Sequence, residues 1–158
     1  QFPGIYMDYA QVEFMLAEAV ERGYDVTGTA ADHYNAGIRA SMNWWSDGSL
    51  SSEDIDNYIA QDGVDYDNQV GQSSWRETIG AQKWIALYMQ GIEGWTEYRR
   101  LDFGILQPPA DGALQGTGIP ERMLYPLDEY SRNSSNVKAA VSQQGPDVLV
   151  TKLWWDVN

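Results

Sequence analysis

The feature that most constrains this chain is a run of positions, Thr78, Ala81, Ile85, Tyr88, Ile92 and Trp95, that step by three and four. A helix returns such residues to one face every 3.6 positions, so the run predicts a single long helix from about Ser74 to Arg100. A helix of that length needs other elements to cover its stripe, and the preceding sequence supplies more helices. Ile5, Tyr9, Val12, Leu16 and Val20 recur at helical spacing ahead of Gly23, which offers a left-handed stop. Thr29, with Asp32 three residues later, reads as the cap of a second helix that carries Tyr34, Ile38, Met42 and Trp45 to a stop at Asp47 and Gly48. Ser51 caps a shorter third helix through Ile55, Tyr58 and Ile59. The expected fold class is therefore mainly α, built from helical hairpins.

Two glycines, Gly91 and Gly94, interrupt the long run. Each costs roughly 1 kcal/mol relative to Ala in an exposed helix interior, so they mark either the close approach of a neighbour or a local bend. From Gly104 to Pro120 the chain is rich in Gly, Pro, Gln and Ala without a period, which predicts a long excursion over the surface. Met123, Leu124 and Tyr125 precede Pro126 and are expected to be extended, Asn136 to cap a short helix ending near Gly145, and the apolar tail from Val148 to Val157 to dock. The reading is thus one domain, with hairpins over residues 1–103 and a loop-rich closing segment over 104–158.

Composition removes several function classes. A formal net charge of −13 opposes nucleic acid as a partner, because phosphate contacts need clustered Lys and Arg. With no cysteine, a thiol nucleophile, a thiolate metal site and a disulfide are all excluded. Seven Trp and ten Tyr against three Phe make a load of rings with a polar handle, which suits a wet binding face as well as a core. No stretch approaches the roughly 20 apolar residues of a spanning helix. The chain starts at Gln1 without an initiator Met, so a processed or excised segment is expected.

Two blocks carry a resemblance. Gln82, Lys83, Trp84, Ile85, Ala86, Leu87 and Tyr88, followed by Gly91, Glu93, Trp95, Tyr98, Arg99 and Arg100, resemble the late-helix signature of the SusD/RagB family. Ile119, Pro120, Arg122, Leu124, Tyr125, Pro126, Glu129, Asn133 and Asn136 are similar to that family's closing segment, and Tyr9, Glu13, Leu16, Ala17, Glu18 and Ala19 to the helix before this region. The resemblance implies the carboxy-terminal part of a SusD-like, tetratricopeptide-containing domain whose amino-terminal part is absent. It implies a cell-surface lipoprotein, anchored by lipid to the outer membrane, that captures oligosaccharide and passes it to a TonB-dependent SusC-like transporter, with no bond-breaking chemistry and no cofactor. In the family the sugar-contacting aromatics vary and come largely from segments amino-terminal to this one, so site residues transfer weakly.

Among the residues themselves, Trp44 and Trp45, at a helix end before Ser46, Asp47 and Gly48, are the candidates for stacking on a sugar. Adjacent helical residues point about 100° apart, so at most one of the pair faces the core. Trp84, Trp95, Trp154 and Trp155 read as core. Arg99, Arg100 and Arg122 are expected to pair with Glu93, Glu97 or Glu129, with anion binding as the functional alternative. Tyr125, Pro126, Glu129, Asn133 and Asn136 carry the closing-segment signature and read as structural. Asp62, Asp65, Asp67 and Asn68 offer hard oxygen ligands, but their spacing fits no EF-hand and a solvated acidic loop is expected. His33, the sole histidine, has no nearby Cys or Ser-Asp partner that the sequence identifies and reads as a surface residue, and no carboxylate pair stands out for hydrolysis. Two functions stay open: a glycan-binding component, or a structural module that docks protein.

Overall fold

A computed structural model of the chain describes residues 4–108, 110 and 118–156. Among these there are eight helices and no strand. Two compact units divide the chain at Gly104 and Ile105.

The first unit holds α1 (Tyr9–Glu21), α2 (Ala30–Trp45), α3 (Ser52–Ile59), α4 (Tyr66–Gln72), α5 (Trp75–Ala86) and α6 (Gly91–Leu101). Caps set the starts. Thr29 and Asp32 form a reciprocal capping box, as do Ser51 and Asp54, each satisfying donors that the first helical turn leaves unpaired. Gly23, at φ +80°, ends α1 in the left-handed conformation, and Asp47 and Gly48 end α2 the same way.

Helices α1 and α2 form an antiparallel hairpin, with Asp8 and Tyr9 beside Asn43 and Trp44, and Glu13 facing His33. The ring of Phe14 seats directly on Gly37 of α2, where a Cβ would stand 2.9 Å from its Cε2. Phe14 meets Tyr34 edge-on at 6.0 Å, and Tyr34 meets Tyr66 at 5.0 Å. Around these rings gather Ile38, Ile55, Ile59, Val64 and Ile79, each worth about 1.5–3 kcal/mol on burial. The hydroxyl of Tyr34 donates to the Val64 carbonyl at 2.8 Å and that of Tyr66 to Glu21 at 2.7 Å, so neither ring buries an unpaired group.

Three expectations change. The face of α1 that packs is Ala10, Phe14, Ala17 and Glu18, while Tyr9 and Val12 point outward. The small residues allow close approach to α2, and that outweighs the larger apolar stripe one step round the helix. The single long helix is two: α5 ends at Ala86 and α6 begins at Gly91, with Met89 at φ +66° between them. Gly91 lies at this bend with open space beside it, whereas a Cβ at Gly94 would stand 3.4 Å from the Trp84 indole, so each glycine answers to a different cause. The acidic segment is not a free loop, because Asp65 accepts from the Asn68 amide and caps α4, which contains Asp67 and Asn68.

The second unit contains α7 (Leu127–Arg132) and α8 (Ser134–Gln144). Residues 123–126 lie outside any helix, with Pro126 at φ −56° and ψ 144°, and α8 starts after Asn133 and leaves Asn136 inside the helix. Trp154 is 82% exposed rather than core. Residues 109 and 111–117 of the excursion expected over residues 104–120, and the last residue of the docking tail, lie outside the described residues.

Candidate functional site

Between the start of α1 and the end of α2 runs a hollow of about 370 Å³, lined by Asp8, Tyr9, Ala10, Ala40, Ser41, Asn43 and Trp44. Ala10 and Ala40 make its floor because the close packing of the two helices demands small residues there. Tyr9 and Trp44 stand at its rim, 64% and 50% exposed, and present two aromatic faces to solvent. Ser41 adds a hydroxyl, Asn43 an amide and Asp8 a carboxylate whose Oδ1 also accepts from the Gln11 amide at 2.8 Å. Rings flanked by neutral donors and acceptors suit a polyhydroxylated ligand, whose C–H faces stack while its hydroxyls bond at the edges.

One helical turn from Tyr9, the Glu13 carboxylate acts on its hydroxyl and raises the Tyr9 pKa above its usual value. Burial pushes Glu13 upward, yet Tyr9 and His33, whose Nδ1 lies 2.7 Å from the carboxylate, prevail and hold it below the usual carboxylate range. His33 therefore has partners on both sides, Glu13 and the Thr27 carbonyl, neither of which the sequence identified.

Trp45 points away from the hollow and meets Tyr88 edge-on at 5.1 Å. It stands near a second surface, where Trp84, Ile85, Tyr88, Met89 and Ile92 are 39% to 75% exposed around the α5–α6 bend. Trp84 is thus exposed rather than core. Two hollows of about 400 and 420 Å³ adjoin there and share Met89, Gln90 and Gly91.

The arginines divide by role. Arg100 donates to both oxygens of Glu18 and to Glu97, while Arg22 donates to Glu18 at 2.7 Å and Lys83 pairs with Glu97 at 3.0 Å. Burial alone raises the Glu18 pKa, but Arg100 and Arg22 outweigh it and hold it below normal. Glu97 was foreseen as a partner and Glu18 was not, because a contact across 82 residues leaves no local signature. Arg99 lies over the Trp95 ring at 3.8 Å. In the second unit Arg122 pairs not with Glu129 but with buried Asp147 at 2.9 Å, and it covers the Tyr125 ring at 4.8 Å. Asp147 also accepts from the Tyr125 amide and, at 2.5 Å, from the Tyr130 hydroxyl. Pro126 immediately precedes α7, and Asn133 donates to Glu129 at 2.8 Å and Asn136 to Asn133 at 2.6 Å, a local ladder at the α7–α8 corner. Among the described residues no group of three or more His, Asp or Glu is placed to hold a metal ion, and no helix is long and apolar enough to cross a membrane.

The family model for SusD-like proteins, described as starch-binding and associating with the outer membrane, matches residues 1–126. The chain belongs to the SusD-like family. Solved structures agree with that placement across nearly all of this SusD-like chain. A SusD-like protein of Bacteroidetes AC2a is 31% identical over 99% of the chain, at a TM-score of 0.81. A SusD homologue from Bacteroides fragilis is 31% identical over 98%, at 0.77, and a chitin-binding SusD homologue from Flavobacterium johnsoniae is 30% identical over 96%, at 0.69. The chain spans only 31%, 35% and 36% of these three proteins. No match is found among curated proteins. The all-helical fold expected of the family is the one observed.

Proposed function

We propose that this chain contributes a glycan-binding groove to a cell-surface nutrient-uptake protein, with Tyr9 and Trp44 as the stacking rings and no catalytic role. The observation that carries the reading is the pair of exposed rings at the rim of a hollow with Ser41 and Asn43 at its edge. Support comes from the family's description as starch-binding and from a chitin-binding neighbour. A strongly acidic surface is no obstacle to neutral sugars, since stacking and hydroxyl bonds rather than ion pairs hold them. In the whole protein, lipid-anchored at the outer membrane, the captured oligosaccharide would pass to a TonB-dependent SusC-like transporter. Titrating tryptophan fluorescence with maltoheptaose and chitohexaose tests this. Saturable binding by the chain that Trp44→Ala and Tyr9→Ala each abolish is expected, and binding that survives both substitutions refutes the groove.

The exposed apolar corner at the α5–α6 bend favours a second reading, in which this segment docks protein and has no sugar site of its own. Co-purification with a SusC-like transporter that Ile92→Asp and Met89→Asp both abolish, without sugar binding by the chain, would favour it.

A further inference from the structure

The hollow between α1 and α2 has one formal charge in its wall. Asp8 alone among its lining residues is charged at neutral pH, and no Lys or Arg joins it there. Arg39, beside Ala40 in sequence, is paired with Asp56 of α3 instead. Oδ1 of Asp8 accepts from the Gln11 amide at 2.8 Å and so caps α1, while among the described residues Oδ2 takes no hydrogen bond. The residue is only part-buried, so this second oxygen keeps its lone pairs for solvent or a ligand. The helix termini that meet at the hollow reinforce its sign. The first-turn amides of α1 bear partial positive charge, but the Asp8 carboxylate is seated on them. The last turn of α2 bears partial negative charge and contains no basic residue to offset it. Tyr9 and Trp44 then add two exposed rings, whose faces are the negative part of the aromatic quadrupole.

A carboxylate, a helix C-terminus and two ring faces around one hollow all favour a cation and oppose an anion. The net charge of −13 over the whole chain adds long-range attraction for cations but, unlike these groups, no preference for this place. We propose that the groove selects glycans that carry protonated amines, such as glucosamine units, over neutral ones and rejects uronate-rich ones, with Asp8 as the specificity-determining residue. The proposal rests on the groove reading above and names a ligand class for it. A sugar stacked on Trp44 or Tyr9 lays its C–H face on the aromatic plane and projects its substituents from the ring edge. An ammonium among those substituents has Asp8 Oδ2 as an ion-pair partner and the neighbouring ring face as a second attraction. An acetamide in the same place gains neither, and a carboxylate meets Asp8 as a like charge, so the groove discriminates by repulsion as well as by attraction.

The test titrates tryptophan fluorescence with chitohexaose, its fully deacetylated counterpart and a galacturonate hexamer, at low salt and mildly acidic pH, where the amines are protonated and the uronates ionised. The deacetylated hexamer should bind ~3- to 10-fold tighter than chitohexaose, the range that one exposed ion pair and one exposed cation–π contact supply together, and the advantage should shrink as salt is added. The galacturonate hexamer should not saturate the signal. Asp8→Asn removes the charge and keeps the cap, since Asn serves at that position as well as Asp; it should erase the preference and leave chitohexaose affinity unchanged. Glu53→Gln, at an exposed acid on α3, makes the same change in net charge and should keep the preference. A preference that survives Asp8→Asn, or that Glu53→Gln erases as fully, belongs to the diffuse field of the chain and overturns the role of Asp8. Saturable binding of the galacturonate hexamer overturns it too. Chitohexaose binding that depends on Trp44, with no gain on deacetylation, sinks the specificity and leaves the groove reading standing; if Trp44→Ala alters the binding of neither hexamer, both fail.

Discussion

Substituting Gly80 by alanine adds one methyl group at the most crowded glycine in the first unit, and the structure sets what that methyl meets. An ideal Cβ there would lie 2.5 Å from Cδ1 of Phe103, 2.8 Å from Cγ and 2.9 Å from its Cβ. Phe103 is 1% exposed and packs edge-on to Tyr98 at 5.4 Å, so it has no solvent to swing into. Because the contact reaches the Cβ of Phe103 and not only its ring, a rotamer change does not relieve it and backbone has to move. Overpacking of this kind costs about 1–3 kcal/mol, and backbone involvement places it at the upper end. Alanine regains about 1 kcal/mol of helix propensity, leaving a net loss of about 2 kcal/mol. For a chain of this size that lowers Tm by roughly 4–8 °C. Urea denaturation followed by circular dichroism reads it directly, with Gly91→Ala as the control. Gly91 has nothing within 4 Å, so alanine there should leave stability unchanged or raise it slightly. Should Gly80→Ala prove as stable as the wild type, α5 does not approach Phe103 as described.

Other perturbations probe the charge network and the groove. Arg100→Met leaves Glu18 and Glu97 buried with fewer partners; a lone buried charge costs about 3–5 kcal/mol, and because Arg22 and Lys83 remain, a loss of about 2 kcal/mol is expected in urea denaturation. Glu18 titrates below its unfolded value of 4.5, so its contribution is complete above that pH and disappears as the pH falls through the folded value; the acid limb of the stability profile should flatten in Arg100→Met. His33 has the opposite sign, since its raised pKa gives stability that is complete below 6.5 and lost at higher pH, and Glu13→Gln should reduce that alkaline loss. Trp44→Ala should abolish oligosaccharide binding with less than about 0.5 kcal/mol change in stability, as expected of a half-exposed side chain, and a large stability loss would assign Trp44 to the fold.

How much of this was legible in the sequence depends on how far each signal travels along the chain. The capping boxes at Thr29 and Ser51 could be read because cap and partner lie three residues apart and the bond geometry is local. The break between α5 and α6 was only half legible, because Gly91 and Gly94 allowed a local bend while four residues of turn return the chain nearly in phase and the apolar steps continue through it. Within that turn Met89 takes φ +66°, and methionine carries no turn preference that would announce it. Periodicity also counts large apolar residues and gives no weight to small ones, so α1 was assigned the stripe of Tyr9 and Val12. The true packing face depends on Gly37 accepting the ring of Phe14, which no spacing within α1 encodes.

The candidate site was half legible for the same reason. Trp44 stood out beside Trp45, and the rule that neighbours on a helix diverge correctly required the two rings to serve different surfaces. Tyr9 was visible only as a member of a helical stripe, yet it is the outward turn of that stripe that brings it to the rim opposite Trp44. The misreading of the α1 face and the missed groove residue are thus one error with one cause. Where small residues let two helices approach closely, larger apolar side chains are displaced to the edges of the contact, and an aromatic at such an edge is available to a ligand. Tyr9 and Trp44 flank Ala10 and Ala40 in this way, and exposed aromatics beside alanine-lined helix contacts are the signal that sequence alone could have supplied.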